Sequence, residues 1–387
     1  MRGGGVSLEQ ISEFGYIRQN ESRTTIKNME TSYKLTGNNT LVDFSADAHY
    51  IIISGYDGGF KIFDTLQNGI YYRTRLKGSK SDINIRNQAI SPDKKYAGFS
   101  ALNKIFVVDV SRKEIIRKYE YSEEERTSSS TFCFFHHSPR IAFPDGEYLR
   151  IHDIETGCSH SIALPHGAGM TDCIAIDPTD KIIAYKSSNG VNDIRLDREG
   201  NIVSTENNEE LRDKVYIFEI ETGKGLNILS VPYPHVWGAK THLSQTMKFV
   251  DMETVLIWRK GYGFSYFNIR TGAEMRTIDW HRKGFVCGEF EKAKIYAGDR
   301  FVLFNNATPD SGSIVFDDSG RIVKRYSLRE SGLEFILYDT KEDRIIYRQK
   351  IGWCPATFHP ETKQFAWIKR EYDENYKRSE YLCIREL

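Results

Sequence analysis

The stretch VPYPHVWGAKTH at Val231–His242 gathers Tyr233, His235, Trp237 and His242 within ten residues. Rings that combine an apolar body with a polar tip are the chemistry of recognition, because they supply large rigid contact area and directed hydrogen bonds. The loop RKGYG adds Arg259, Lys260 and Tyr262, and His166, His281 and Trp353 lie in other irregular segments. Trp280 and Trp353 have an alternative role as caps on packing between elements. His166, His235 and His242 could hold zinc only by converging from separate parts of the chain, since no local spacing supports it, and neither a metal nor a cofactor is expected. No Gly-rich phosphate loop, HExxH, GxSxG or paired-cysteine metal site occurs. His136 and His137, in TFCFFHHSPRIAF, are read as neighbours on a strand that point to opposite faces, hence a turn residue and a packed imidazole. Asp82, Asp172 and Glu289 are acids near strand ends, where carboxylates serve turns and caps more often than catalysis. The run Glu123–Glu125 reads as a solvated connector, or as a docking strip for a basic partner. The catalytic set is empty on this reading, and binding is the expected chemistry.

Lys plus Arg and Asp plus Glu both number 53 in 387 residues, so no net field draws the chain to nucleic acid or an anionic membrane. Hydrophobic residues at 40% and charged residues at 27% suit a packed globular chain. The opening MRGGGVSLEQISEFG has no apolar run of a secretory leader, and no stretch approaches a bilayer span. Six cysteines, Cys133, Cys158, Cys173, Cys287, Cys354 and Cys383, are scattered without CxxC spacing and mostly inside apolar patterns. Buried free thiols and a reducing, cytoplasmic location are expected.

The elements that must position these groups repeat. An apolar strand ending in an acid or amide, a tight turn and a further strand recur as KIFDTLQNG (Lys61–Gly69), FVVDVSRKE (Phe106–Glu114), RIHDIETG (Arg150–Gly157), YIFEIETG (Tyr216–Gly223), SYFNIRTG (Ser265–Gly272) and ILYDTKED (Ile336–Asp343). The residues before the turn, Asp64, Asp109, Asp153, Glu219, Asn268 and Asp339, are spaced by 45, 44, 66, 49 and 71 residues by subtraction. A second phrase, VDFSADAHYIIIS (Val42–Ser54), QAISPDKKYAGFS (Gln88–Ser100), IAIDPTDKIIAY (Ile174–Tyr185) and ATFHPETKQFAW (Ala356–Trp367), marks a strand, a Pro or Asp turn and a returning strand. Stacked copies of a four-stranded unit of about 40–45 residues imply an all-β propeller.

On these phrases the chain resembles a degenerate WD-repeat or related β-propeller over about Thr24–Leu387. The resemblance implies the architecture only: no Trp-Asp dipeptide closes a repeat and no Gly-His opens one, so the family's buried Asp-His network does not carry over. Seven blades of four antiparallel strands are expected at about Leu41–Leu76, Gln88–Tyr121, Phe132–Leu164, Asp172–Val231, Met247–Trp280, Phe285–Lys350 and Cys354–Leu387. The seventh runs out of chain after its third strand. Arg23–Leu35 is expected to supply the fourth and so close the ring, leaving 1–22 as an N-terminal segment and 23–387 as a single domain.

Two intervals are long, with insertions at about 187–214 and 306–332. They share a motif, IRLDREGNIV (Ile194–Val203) and IVFDDSGRIV (Ile314–Val323), each a hairpin turning at Gly200 or Gly320. Both fall between the second and third strands of a blade, so both should rise from the face that also carries the blade-to-blade connectors. Tolerated surface elaboration is the alternative, since long loops cost little entropy. The expected function is a non-catalytic protein-interaction module using that face, with Arg195, Arg198, Asp318 and Arg321 of the hairpins joining the connector residues as its binding set. The partner would be another protein. The competing expectation is an enzyme or small-ligand receptor at the channel mouth, of lactonase-like or glycan-processing type.

Overall fold

The computed structural model describes residues 30–78, 83–101, 104–120, 131–165, 170–188, 195–196, 202–204, 212–232, 247–259, 263–279, 283, 293–307, 314–316, 322–325, 333–350 and 354–387. Strand β1 (Glu30–Leu35) precedes blade one, which comprises β2 (Asn39–Phe44), β3 (Tyr50–Gly55), β4 (Gly59–Asp64) and β5 (Gly69–Arg75). Blade two holds β6 (Ile85–Ile90), β7 (Tyr96–Ala101), β8 (Lys104–Asp109) and β9 (Glu114–Glu120). Blade three holds β10 (Cys133–Phe134), β11 (Arg140–Asp145), β12 (Tyr148–Asp153) and β13 (Ser159–Ala163). Blade four is β14 (Met170–Ile176), β15 (Ile182–Ser188), β18 (Arg212–Glu219) and β19 (Gly225–Pro232), interrupted by the hairpin β16 (Arg195–Leu196) and β17 (Ile202–Ser204). Blade five is β20 (Met247–Phe249), β21 (Thr254–Arg259), β22 (Gly263–Asn268) and β23 (Glu274–Asp279). Blade six is β24 (Lys294–Tyr296), β25 (Phe301–Ala307), β28 (Leu333–Asp339) and β29 (Arg344–Lys350), with the hairpin β26 (Ile314–Phe316) and β27 (Ile322–Arg325) inserted. Blade seven joins β30 (Ala356–His359), β31 (Gln364–Tyr372) and β32 (Arg378–Glu386) to β1, which pairs antiparallel with β32 from Glu30↔Arg385 to Leu35↔Glu380. The ring is closed by the N-terminal strand, as the sequence predicts. No helix long and apolar enough to cross a membrane occurs among the described residues.

Burial explains the sequence pattern. Middle strands β4 and β7 are buried along their whole length, because a neighbouring blade covers each face, whereas outer β29 alternates exposed and covered residues. Seven apolar clusters result, each built from two consecutive blades. That between blades seven and one unites Leu35, Val42 and Ile51 with Ala366, Ile368 and Leu382. Apolar packing and the β1–β32 ladder therefore close the seam together.

The repeated marker residue is a turn cap. Oδ1 of Asp64, Asp153, Asn268 and Asp339 each accepts two backbone N–H groups, two and three residues on, and Oδ1 of Asp109 accepts those of Arg112 and the Ser111 hydroxyl. Four residues beyond each marker the backbone is left-handed, at Asn68, Lys113, Gly157, Gly223, Gly272 and Asp343, which is why glycine or asparagine recurs there.

The first strand of blade six is described at Lys294–Tyr296, and Phe285, where the sequence reading starts that blade, lies outside the described residues. Two expectations need correction. Cys158 is exposed in a turn, unlike buried Cys173, Cys354 and Cys383. His136 and His137 lie in a bend beyond β10 rather than on a strand, and both rings address the same neighbouring turn.

Candidate functional site

In each blade the first and third strands run one way and the second and fourth the other. Connections from second to third strand therefore emerge on one face, together with those from blade to blade, and the remaining turns emerge on the opposite face. Both hairpins, β16–β17 and β26–β27, join second to third strands, so both belong to the first of these, hereafter the insertion face.

The turn face is tied blade to blade. Lys94 of blade two pairs with Asp47 of blade one at 2.6 Å, and Lys95 and Tyr96 bond Glu155 of blade three. Asp180 of blade four accepts the backbone N–H groups of His136 and His137 of blade three at 2.7 and 2.8 Å, and their Nε2 atoms approach the carbonyls of Ile176 and Pro178. Asn227 reaches from blade four to the carbonyls of Ile269 and Arg270, and His359 from blade seven to that of Ala46. Burial would raise the Asp47 carboxyl, but bonds from Lys94, Ser45 and the His49 N–H hold it at about 2.

The insertion face is built differently. Its arginines mostly pair with carboxylates of their own blade: Arg75 with Asp57, Arg150 with Asp145, Arg348 with Glu334, and Arg370 and Arg378 with Glu380. In each pair the carboxylate lies beneath and the guanidinium faces outward; the Glu380 side chain is 2% exposed and that of Arg378 32%. Cross-blade bonds concentrate at the closing seam, where Glu380 Oε2 accepts the backbone and side-chain N–H groups of Asn39 at 2.8 and 2.7 Å. Lys61 donates to Asn39 Oδ1; burial lowers its pKa while Asp57 and Glu380 oppose the shift. Around this seam stand Tyr56, in the β3–β4 connection, and Tyr372 and Tyr376, at the β31–β32 connection and 62% and 87% exposed. Tyr148 begins β12 on the same face. Every strongly exposed tyrosine among the described residues thus lies on the insertion face, whereas Leu66 and Met252 lie in turns of the opposite one.

The channel wall is formed by the first strands. There Lys294 of blade six bonds Asp43 and the Val42 carbonyl of blade one, and Gln88 of blade two bonds the other Asp43 oxygen. Lys248, its pKa lowered by burial, donates to the Ile295 carbonyl, and Tyr296 meets Thr357. No group of three or more potential metal ligands occurs among the described residues.

Of the residues singled out from sequence, Arg259 ends β21 opposite Gly263 on the insertion face, and Arg195 pairs with Ser204 in the β16–β17 hairpin. Asp172 is the extra residue at a bulge between Thr171 and Cys173. His166, Tyr233, His235, Trp237, His242, Lys260, Tyr262, Trp280, His281, Trp353, Arg198, Asp318, Arg321, Asp82, Glu289, Cys287 and Glu123–Glu125 lie outside the described residues. Sequence reasoning missed Tyr56, Tyr148, Tyr372 and Tyr376. A usable signal existed: in AWIKREYDENYKRSEYL the apolar strand pattern stops at Lys369 and resumes at Tyr381, which assigns both intervening tyrosines to the strand ends and connection.

The fold is a seven-bladed β-propeller. It is similar to the β-propeller domain of Myceliophteria thermophila Cps50 (Swd1), with a TM-score of 0.57 and 11% identity over 92% of this chain and 99% of that one. No family model and no curated protein matches the sequence.

Proposed function

We propose that the chain is a non-catalytic protein-interaction module that captures another protein on its insertion face. One observation carries this reading: the exposed tyrosines and outward guanidiniums share the face from which both hairpins project, while the opposite face spends its polar groups on joining blades. Tyrosine and arginine dominate interface energetics, and loops fixed to a rigid ring lose little freedom on association. The connector residues Tyr233, His235, Trp237, His242, His166, His281 and Trp353, with Arg259 and Tyr262, adjoin strand ends of this face in the sequence and are included in the proposed surface. In the channel, by contrast, Asp43, Lys294 and Gln88 are engaged with one another, which favours the face over a channel-mouth catalyst.

The test compares capture from the native host by the parent chain, by a Tyr56→Ala, Tyr372→Ala, Tyr376→Ala triple variant and by a Leu66→Ala, Met252→Ala control. The triple variant should lose the partner that the control retains. Equal capture by all three would overturn the assignment of the face.

A further inference from the structure

The hairpin β31–β32 projects beyond its own blade. Strand β30 pairs only with Gln364–Trp367 and β1 reaches only to Glu380, so among the described residues the rungs Glu371↔Ser379 and Tyr372↔Arg378 have no further strand beside them. Successive residues alternate between the two sides of the hairpin. Ile368 and Leu382 pack against blade one, which places Arg370, Tyr372, Arg378 and Glu380 on that same side. On blade one, Phe63 packs against blade seven, so Lys61 and the rung Gly59↔Arg75 face back toward the hairpin. Lys61 lies within electrostatic reach of Asp57, Glu380 and Arg75. The projecting hairpin and the end of blade one thus meet at the closing seam as a wall and a floor.

Cations outnumber anions in this corner. The guanidiniums of Arg75, Arg370 and Arg378, with the Lys61 ammonium beneath them, meet only the carboxylates of Asp57 and Glu380, and both carboxylates are already engaged. Glu380 Oε1 stands 3.2 Å from Nε of Arg370 and of Arg378, and its Oε2 takes two N–H groups of Asn39, which fills its acceptor positions. Asp57 accepts the Gly59 N–H and lies 3.6 Å from Arg75 Nη2. The remaining acids of the hairpin are committed elsewhere. Glu371, on the other side, pairs with Lys369 at 2.7 Å, and Asp373 caps the tip through the N–H groups of Asn375 and Lys377. Arg75 and Arg378 nevertheless keep side chains 68% and 32% exposed.

Resting on the capture of a protein at this face, we propose that the partner presents an acidic segment to this corner, its Asp or Glu carboxylates on the guanidiniums of Arg378 and Arg75 and its backbone among Tyr56, Tyr372 and Tyr376. A planar carboxylate matches the guanidinium fork through two parallel hydrogen bonds. The phenol rings add apolar area and polar tips beside it. A basic segment would be repelled by the same excess of positive charge.

The full chain is titrated by fluorescence anisotropy with three labelled peptides of equal length, one of interspersed Glu and Phe, one with every Glu replaced by Gln and one with every Glu replaced by Lys. At about 50 mM salt the Glu peptide should bind at least about tenfold more tightly than the Gln peptide and the Lys peptide most weakly, and the preference should shrink at about 500 mM. Arg75→Gln combined with Arg378→Gln should abolish the preference and leave the melting temperature within a few degrees, since Glu380 keeps Arg370. Arg270→Gln, on the turn face, should change neither. A Glu peptide that binds no better than its Gln counterpart, or a preference untouched by the double variant, overturns the proposal. If the tyrosine triple variant still loses the host partner in that event, protein capture at this face stands and only the acidic class of partner falls.

Discussion

Asp180 shows how a single side chain holds a blade boundary: its two oxygens take consecutive N–H groups from the adjoining blade while its own φ is 59°. Asp180→Ala leaves those donors without their partner and should cost about 1–3 kcal/mol, read as a lower midpoint in urea. Gly98 is the corresponding steric case. A Cβ there would stand 2.8 Å from the Phe132 ring of blade three, so Gly98→Ala should destabilise by about 1–3 kcal/mol with no effect on partner capture. The turn carboxylates set the acid limit. Asp47, Asp109, Asp153 and Asp339 are all held below their ordinary range, chiefly by hydrogen bonds that outweigh burial where burial opposes them. A depressed carboxylate stabilises the fold above its unfolded pKa, and that stability is lost as pH falls through the folded value. Melting temperature should therefore be flat near neutrality and fall steadily from about pH 4 toward pH 2. Asp47→Asn should flatten part of that decline.

Strand β1 is the element on which closure turns. Removing residues up to Thr36 deletes the outer strand of blade seven and the Leu35 contribution to its seam, so the truncated chain should unfold at markedly lower temperature and bind a hydrophobic dye. Replacing 189–211 by a short glycine linker should leave the melting temperature within a few degrees, because the β16–β17 hairpin forms its own two-stranded sheet outside the four-stranded blade. Most of this organisation was legible in the sequence because turn chemistry is local. The Asp or Asn cap and the left-handed residue four positions later are specified within five residues, so six copies of one phrase, with the hairpin phrase at Ala356–Trp367 for the last blade, led to seven blades. The latch was legible by elimination, since the last blade lacked a strand. The candidate surface was much less so. Tyr372 and Tyr376 reach the same seam as Tyr56 only through a closing contact more than 300 residues apart in the chain, and no local pattern encodes that convergence.

At the scale of the whole ring, each apolar cluster serves one pair of neighbouring blades, so stability is carried by a closed chain of equivalent contacts rather than by a hub. Heat or denaturant should therefore unfold the circle as one cooperative step, with calorimetric and van't Hoff enthalpies in agreement for a single copy. The latch has another consequence. Strand β1 enters, and β32 leaves, on the turn face, with Glu30 beside Arg385 in the ladder. Tension applied between the two ends would load this ladder at one end and peel its rungs in turn, giving the molecule a soft mechanical axis at its own seam. A tether fixed to either end would instead hold it by its back, leaving the tyrosine-bearing side pointed away from the support.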